Sequence, residues 1–355
     1  MNNASPELLT APAKSHKAEK NLFFRWVNAV SFTLSVLLVV TLVSCYLLRP
    51  DFCAVITFLP AWFWLVPGGL LILLGRKANR WARAVAMLAW LIFVGLCVQE
   101  ASSLLRGCAW LAKSHETAKD ASSLRVVLLN CAGGSLDAAR EVIQYQPDIV
   151  LLQEAPAREQ VKTLAQQLFG DEGMVVQTSD TAILSRGYVK QIDLPPTSRT
   201  FMTAAQVELP SGLEMQVISV HLPPPATGIN LFSRSCWKEH SEDRKLRREQ
   251  VDRIAEQVKS VSGIVPIILG GDFNVSAADG ALRPLKPWLR DSFSEAGMGW
   301  GNTAPSHMPL WRIDQIWVSR HFRVNAVFSR KTDHSDHWMV VCDAAMAIGI
   351  PKQCR

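Results

Sequence analysis

The amino-acid sequence predicts an α/β domain of layered β-sheets flanked by helices, preceded by three membrane-spanning helices. Three long hydrophobic runs lie within residues 26–105, whereas residues 121–345 alternate apolar and polar segments as a globular domain does. In that second region, short runs rich in Val and Ile alternate with amphipathic helical segments, a pattern that favours sheets covered by helices. The chain of 355 residues is 49% hydrophobic with a mean hydropathy of +0.13, high values for a soluble protein.

The three hydrophobic runs cover residues 26–48, 53–75 and 85–105. Each is about 20 residues long, the length that a helix needs to cross roughly 30 Å of hydrocarbon. A secretory signal peptide would account for the first run alone, and two more runs follow it. The stretch "LVSC" at 42–45 resembles a lipoprotein cleavage box, but "YLL" continues the apolar span beyond it. We therefore predict three membrane helices.

Lysine and arginine residues flank these runs and determine the predicted orientation. Four precede the first run and four lie around the loop before the third: Lys14, Lys17, Lys20, Arg25, Arg76, Lys77, Arg80 and Arg83. The positive-inside rule places both groups in the cytoplasm, so three crossings put everything after residue 105 on the other side. The predicted location is the cell (inner) membrane, multi-pass, with an extracytoplasmic domain. Because these cations account for much of the net charge of +6, that charge gives no support for a nucleic-acid partner.

Residues 106–122 are polar and predict a linker, after which strands and helices follow in order. Residues 136–146 and 242–260 have helical spacing, and Val251, Ile254 and Val258 share one face of the second segment. The eight cysteines show no CxxC spacing, so a zinc site is not expected. Eight runs predict strands: "LRVVLLN" (124–130), "DIVLLQE" (148–154), "TAILSR" (181–186), "AAQVEL" (204–209), "EMQVISVHL" (214–222), "VPIILGGDFN" (265–274), "RIDQIWVS" (312–319) and "HWMVVCDAAM" (337–346).

Acids, amides and histidines repeatedly stand at the ends of these buried strands. Each type is ordinary by itself, as a turn residue or a structural histidine, but their coincidence at so many strand ends predicts a site. Strand ends of α/β proteins meet at one edge of the sheets, where such side chains converge. Asp314 joins them from inside its own strand, where a carboxylate needs a partner. The residues at strand ends are Asn130, Glu154, His221, Asp272, Asn274, Asp336 and His337.

This set of side chains favours phosphate-ester chemistry. Carboxylate and amide oxygens without a thiolate cluster are hard ligands, which prefer Mg²⁺ or Mn²⁺ to zinc. Such an ion polarises a phosphoryl oxygen, a carboxylate acts as base towards water, and histidines donate to the oxygens of the transition state. Peptide hydrolysis is disfavoured, because neither a Ser–His–Asp order nor an HExxH motif is present.

The motifs "LLN", "DIVLLQE", "VHL", "GGDFN", "RIDQI" and "SDHW" occur in that order along the chain. Together they resemble the endonuclease/exonuclease/phosphatase superfamily, whose fold is deoxyribonuclease-I-like, over roughly residues 123–345. The resemblance implies a four-layer α/β sandwich of two mixed β-sheets flanked by helices. The expected organisation is a cytoplasmic tail (1–25), a membrane domain (26–105), a linker (106–122), a catalytic domain (123–348) and a short tail (349–355).

The resemblance also implies a metal site. Glu154 would be the principal ligand of Mg²⁺ or Mn²⁺, with Asn130 beside it. Asp336 would support a metal or its bound water. One metal and two metals both remain open, as do phosphodiester and phosphomonoester substrates.

The remaining roles that the resemblance implies concern an in-line attack of water on phosphorus. Asp272 would orient or deprotonate the water, and Asn274 would position the water and a phosphate oxygen. His221 and His337 would stabilise the pentacoordinate phosphorus. Asp314 would accept a hydrogen bond from His337, fixing its tautomer and favouring its charged form.

The sequence departs from parts of the family pattern. Many abasic-site endonucleases carry an acid two positions after the first Asn, where this chain has Ala132. The position after Asp314, often aromatic or His, is Gln315, and "GGDFNVSAADGALRPL" lacks the inositol-phosphatase signature. No metal ligand is lost, but DNA repair and inositol phosphates are disfavoured as functions.

The substrate is left open between nucleic acid and phospholipid headgroups. Residues 223–242 predict a long loop whose aromatic and basic side chains would contact either, or pack on their own domain. By family analogy Arg199 would contact the substrate phosphate, and Arg244 and Arg247 are weaker candidates for the same contact. The segment "DRKLRREQ", which contains both, mainly predicts a solvated helix face. A membrane-anchored phosphoesterase is the leading hypothesis; a nuclease and a catalytically silent membrane scaffold are the alternatives. No obligate protein partner is evident.

Overall fold

The computed structural model describes residues 13–77, 79–111 and 123–347 and divides the chain into two compact units. One unit is Met1–Leu47 with Ala61–Val98, and the other is Leu48–Pro60 with Gln99–Arg355. The helices are α1 (Ala13–Leu48), α2 (Ala54–Phe58), α3 (Leu65–Leu74), α4 (Arg80–Cys97), α5 (Gln99–Leu111), α6 (Leu136–Arg140), α7 (Arg158–Phe169), α8 (Pro196–Arg199), α9 (Arg234–Lys259) and α10 (Ser292–Ala296).

In the first unit, two of the described helices are long and apolar enough to cross a membrane. They are Leu22–Leu48, with a hydropathy of 2.2, and Arg80–Cys97, with a hydropathy of 1.5. The described residues thus contain two candidate membrane helices where three were predicted, or up to three if a bent pair of helices counts as one span. The third predicted run is also shorter than expected, because α4 ends at Cys97 and Val98 is extended.

The second hydrophobic run is broken rather than continuous. Its two halves, Asp51–Phe58 and Ala61–Leu74, meet at an angle of 78°. Pro60 explains the break, because proline has no N–H to donate and disfavours helical geometry in the residue before it. Leu59 accordingly adopts φ −67° and ψ 141°, an extended conformation that ends α2.

The second unit contains two six-stranded mixed sheets. Their strand orders are β11-β12-β1-β2-β4-β3 and β5-β6-β7-β8-β10-β9, with parallel pairing between β1 and β2 and between β7 and β8. The strands are β1 (Leu124–Asn130), β2 (Ile149–Gln153), β3 (Gly173–Thr178), β4 (Thr181–Arg186), β5 (Tyr188–Gln191), β6 (Met202–Glu208), β7 (Glu214–His221), β8 (Ile267–Asp272), β9 (Leu289–Asp291), β10 (Asp314–Ser319), β11 (Phe322–Arg330) and β12 (Met339–Met346).

Three apolar clusters produce the predicted arrangement of sheets flanked by helices. Alternate residues of both sheets, such as Leu128 and Ile268, form the cluster between them. The other face of the first sheet packs on α6 and α7, and that of the second sheet packs on α9 through residues such as Val251. Because side chains alternate along a strand, each central strand buries both of its faces.

Two predicted segments differ in their bounds. Helix α9 begins at Arg234 rather than near residue 242, so the predicted loop is only residues 223–233. Buried Cys236 and His240 anchor this additional helical stretch. The predicted helix over 136–146 is α6 followed by a 3-10 turn over Glu141–Tyr145.

Candidate active site

Strand pairing in the second sheet brings three of the expected site residues into one row. His221 on β7 lies opposite Asp272 on β8, and Asp314 on β10 lies opposite Asp272 from the other side of that strand. Neighbouring strands are about 4.8 Å apart, so the register alone places these side chains at one edge. Asp272 and Asp314 are each only 1% exposed.

The first sheet contributes Asn130 and Glu154 to the same place. Asn130 Nδ2 donates to Asp272 Oδ2 (3.1 Å) and to Glu154 Oε1 (3.2 Å), so its amide joins the two sheets. The backbone N–H of Gly133 donates to the other oxygen of Glu154. Glu154 has a positive φ of 44° and Asn274 one of 51°, conformations that non-glycine residues adopt mainly where the surroundings impose them.

His337 is held by the buried carboxylate that the sequence singles out. Its Nδ1 lies 2.8 Å from Asp314 Oδ2, and its Nε2 lies 3.9 Å from Asp272 Oδ2. Burial alone would lower the pKa of His337, but the charges of Asp314, Asp272 and Asp336 outweigh it and raise the pKa to about 10. The imidazole is therefore cationic at neutral pH.

His221 has a similar partner, which the sequence analysis missed. Its Nδ1 lies 2.6 Å from Asp180 Oδ2, while its Nε2 is 3.9 Å from Glu154 Oε1 and 4.0 Å from Asp272 Oδ2. Burial opposes the charged form, but the hydrogen bond with Asp180 and the charge of Asp272 raise the pKa of His221 overall. Asp180 stands in the turn just before β4, so the same rule of acids at strand ends identifies it.

Asp272 is the centre of this cluster, and its environment favours the protonated form more than water does. Burial and the charge of Asp314 raise its pKa to about 6, although His337 and His221 act in the opposite direction. Asn274 N–H donates to Asp272 Oδ1 at 2.9 Å, and the Asn274 side chain donates to the Leu222 carbonyl at 2.7 Å. The "GDFN" turn thereby fixes the side chains of Asp272 and Asn274 in place.

Two predicted site residues stand apart from these contacts. Arg199 is exposed, donates to the Leu194 carbonyl and pairs with Asp193, so its predicted contact with substrate stays a prediction. Asp336 is also exposed, and its charge contributes to the raised pKa of His337.

The donor set is compatible with a divalent cation. Ligand atoms of Asp272, Asp314 and His337 all lie within 4.8 Å of one another, and Asp314 Oδ1 is buried without a hydrogen-bond partner among the described residues. Glu154 adds a carboxylate that is 35% exposed. Oxygen donors of this kind suit Mg²⁺ or Mn²⁺ rather than a thiophilic metal.

The fold and this site define a class of protein. The model of the endonuclease/exonuclease/phosphatase family matches residues 127–337, and the chain belongs to that family. Members of the family are hydrolases of phosphate esters and generally depend on a divalent metal. No curated protein sequence gives a significant match to the chain.

Several solved structures are similar to this chain. An endonuclease/exonuclease/phosphatase family protein from Bacteroides thetaiotaomicron is 18% identical over 64% of this chain and 98% of that one, with a TM-score of 0.49. A mannosyl-6-phosphatase from Bacteroides thetaiotaomicron VPI-5482 is 17% identical, over 63% and 100% of the chains, with a TM-score of 0.48. D. rerio TDP2, complexed with a single-strand DNA product, is 19% identical over 63% and 100%, with a TM-score of 0.46.

Proposed function

We propose that the protein is a membrane-anchored, metal-dependent phosphoesterase that hydrolyses a P–O ester bond by in-line attack of water. The convergence of two Asp-held imidazoles on Asp272, beside Glu154, is the observation that supports this function most directly. A phosphoryl group needs donors for its oxygens and a base for the attacking water, and this cluster contains both.

Asp272 would be the base that orients and deprotonates the water. A pKa of about 6 is close to neutral, so the carboxylate is mostly ionised at pH 7 and still basic enough to accept a proton. Asn274, whose backbone N–H donates to Asp272, would position the water and a phosphate oxygen.

The two imidazoles would stabilise the developing charge on the phosphoryl oxygens. Each is bonded through Nδ1 to a carboxylate, which leaves Nε2 available for substrate. Because His337 is cationic at neutral pH, its donation is charge-assisted, and it would also protonate the leaving oxygen.

Glu154 and Asn130 would hold the divalent cation, with Asp336 supporting it or its bound water. When bound, Mg²⁺ or Mn²⁺ supplies positive charge that polarises the phosphoryl oxygen. We assign the cation to Glu154 rather than to His337, because an imidazole with a pKa of about 10 is protonated at neutral pH and has no free lone pair for a metal.

Hydrolysis by the full-length protein in detergent with Mg²⁺ tests this function. The substrates are 4-nitrophenyl phosphate, bis(4-nitrophenyl) phosphate, plasmid DNA, RNA and a phospholipid, which separate monoesterase, diesterase and nuclease activity. Replacing Glu154 by Gln should lower kcat/KM by about 10²-fold or more, in the range for loss of a charged catalytic group.

The matched control is Glu159→Gln, because Glu159 is exposed on α7 and pairs with Lys162. It should leave activity unchanged. Activity that survives Glu154→Gln would remove the metal assignment. A nuclease would instead cleave DNA or RNA in preference to the other esters, with a rate that falls steeply as salt rises. Absence of hydrolysis with every substrate would favour the silent scaffold.

The second compact unit, which contains the candidate active site, is called the catalytic unit below. The two segments that form it support an odd number of membrane crossings. Residues 48–60 and the chain from residue 99 onward belong to this one unit, so the intervening residues 61–98 must begin and end on the same side of a membrane. Helix α4 is itself a candidate span. If it were the only crossing within residues 61–98, the two ends of that segment would lie on opposite sides of the membrane. We therefore propose that residues 61–74 also cross, in a locally thinned bilayer because they are fewer than about 20.

With α1 as the first crossing, the catalytic unit is on the side opposite the N-terminus. The cations around residues 76–83 favour an extracytoplasmic location for that unit. Alkaline phosphatase, which is active only outside the cytoplasm, should be active when fused after Arg355, and GFP should fluoresce when fused after Lys77. Fluorescence of GFP fused after Arg355 would contradict this topology.

A further inference from the structure

A cavity of about 360 Å³ opens beside the candidate active site, within the catalytic unit. Its lining includes Asn274, Asp336 and His337, so it is continuous with the residues that would bind the phosphate. Pockets that bind small organic ligands typically have volumes of about 300–1,000 Å³. The space therefore suits the part of a substrate that adjoins its phosphate.

The wall beyond these polar residues is apolar. Phe58, Trp311, Ile313, Pro305 and Ile229 are among its lining residues. The rings of Phe58 and Trp311 are 5.4 Å apart, and Trp311 Nε1 donates to the Phe58 carbonyl at 2.9 Å. Since Trp311 thereby satisfies its one polar group, the rings present hydrocarbon to the cavity.

The segment that carries Phe58 is firmly attached to the catalytic unit. Arg244 on α9 donates to the Thr57 hydroxyl and pairs with Asp279 at 2.7 Å, with both partners of the ion pair buried. The Phe58 ring lies 5.2 Å from that of His240 on the same helix. These contacts therefore hold residues 54–58 in place as one wall of the cavity.

The position of this segment in the sequence is informative. Residues 54–58 lie between the candidate span Leu22–Leu48 and the apolar residues 61–74. If these stretches enter a membrane, as proposed above, the wall is only a few residues away from hydrocarbon along the chain.

The charges of the lining disfavour a polyanion. The described lining residues include three carboxylates, Asp243, Asp279 and Asp336, against Arg244 and the imidazole of His337. Arg244 is already paired with Asp279. Binding of nucleic acid depends on Lys and Arg side chains that neutralise successive phosphates, and these lining residues lack such a series.

We propose that this cavity holds the hydrocarbon chain of an amphiphilic phosphate ester, so that the substrate is a lipid phosphate. The assignment rests on the proposed phosphoesterase function and narrows its substrate class. His337 and Asn274 would contact the phosphate, while Phe58, Trp311 and Ile229 contact the chain beside it.

Two pairs of esters that differ only in chain length test this assignment with the full-length protein in detergent and Mg²⁺. The diester pair is 4-nitrophenyl methyl phosphate and 4-nitrophenyl octyl phosphate; the monoester pair is methyl phosphate and octyl phosphate. For whichever pair is hydrolysed, kcat/KM should be at least about 10-fold higher for the octyl compound, because its chain is buried. A single-stranded oligonucleotide is the third substrate.

Ile229→Asn and Phe232→Asn form a matched pair of variants on one loop. Ile229 lines the cavity and is 45% exposed, whereas Phe232 is fully exposed and is not among the lining residues described. We expect Ile229→Asn to reduce the ratio of octyl to methyl kcat/KM towards one, and Phe232→Asn to preserve that ratio. Partition of octyl esters into detergent is the same for all three proteins.

Equal rates with methyl and octyl esters, an equal effect of the two variants, or faster cleavage of the oligonucleotide than of the octyl ester would each overturn the assignment. Hydrolysis of no ester would instead count against the proposed function. In that event binding decides the assignment: octyl phosphate should raise the Tm of the wild type more than inorganic phosphate does. Failure of octyl phosphate to do so, or an equal rise in Ile229→Asn, would overturn it.

Discussion

At the scale of single residues, the site contains two imidazoles that share one arrangement. Asp314 bonds Nδ1 of His337 and Asp180 bonds Nδ1 of His221, and both Nε2 atoms lie about 4 Å from the Asp272 carboxylate. A carboxylate at Nδ1 fixes which nitrogen faces the substrate and stabilises the cation. The charge state of the site therefore depends on residues that need not touch a substrate.

Asp314→Asn should lower kcat by about 10²-fold or more, because the His337 cation loses its stabilising charge.

The raised pKa of His337 also has a consequence for stability. Protonation stabilises the fold fully below the unfolded-state value near 6.5, and this contribution is lost as pH rises through about 10. The difference in Tm between wild type and Asp314→Asn should therefore be largest near pH 6 and shrink towards pH 10. Thermal unfolding followed by tryptophan fluorescence across this range measures it, and a constant difference would refute the assigned titration.

Asp180→Asn should reduce kcat by about 10-fold or more while the protein stays folded, because His221 loses the partner that orients it. Asp137→Asn is the control, since Asp137 is exposed on α6 and pairs with Arg140. Steady-state kinetics of both variants, with their Tm values, provide the test. Equal kinetics for Asp180→Asn and wild type would mean that His221 does not act in the reaction.

At the scale of elements, the close approach of β7 and β8 positions the site. Gly271 lies where an added Cβ would be 1.9 Å from the Val220 carbonyl oxygen, and a Cβ at Gly270 would be 2.6 Å from Leu151 Cδ1. The first contact involves backbone, which has little freedom to move aside. These two glycines therefore set the spacing between β7 and β8 and between the two sheets.

Gly271→Ala should lower the free energy of unfolding by about 3 kcal/mol, because the methyl group forces the paired strands apart. Activity should fall as well, since His221 and Asp272 terminate those strands. Gly228→Ala is the comparison: no atom lies within 4 Å of its added Cβ, and the change should stay within about 0.5 kcal/mol. Thermal unfolding of the two variants distinguishes them, and similar stabilities would show that the strand spacing tolerates a side chain.

At the scale of the whole molecule, the catalytic unit is assembled from separate stretches of the chain. Residues 48–60, which lie between apolar stretches, belong to the same compact unit as residues 99–355. The ion pair between Asp51 and Arg248 is one of the contacts that attach this segment. The predicted domain boundaries, which divide the chain into consecutive blocks, stay predictions.

Divalent cation should stabilise the whole protein, because a ligand that binds only the folded state raises its free energy of unfolding by mass action. At about 100 times the dissociation constant the gain is about 2.7 kcal/mol. Tm measured with Mn²⁺ and then with excess EDTA reports this gain without any substrate. Glu154→Gln should abolish most of the shift and Glu159→Gln should retain it. A full shift in Glu154→Gln would mean that the cation binds elsewhere.

The sequence by itself determined an α/β domain of layered sheets flanked by helices, because strands buried on both faces read as continuous apolar runs. That the sheets are two and mixed was an implication of the family resemblance. The sequence also indicated most of the side chains in the cluster, since polar residues directly after such runs stand at a sheet edge. Register then made Asp272 the neighbour of His221 and Asp314, a pairing of residues far apart in the chain.

Only the tertiary structure decided which carboxylate serves His221 and where the apolar segment joins the catalytic unit. Asp180 directly precedes β4 as other strand-end acids do, but its partner became known only because folding brings it to within 2.6 Å of His221. Phe58 reads as part of a membrane helix, whereas the break at Pro60 and the packing against His240 and Trp311 make it a wall of the cavity. Local pattern encodes burial and strand ends, but contacts between distant segments depend on the packing of the complete chain.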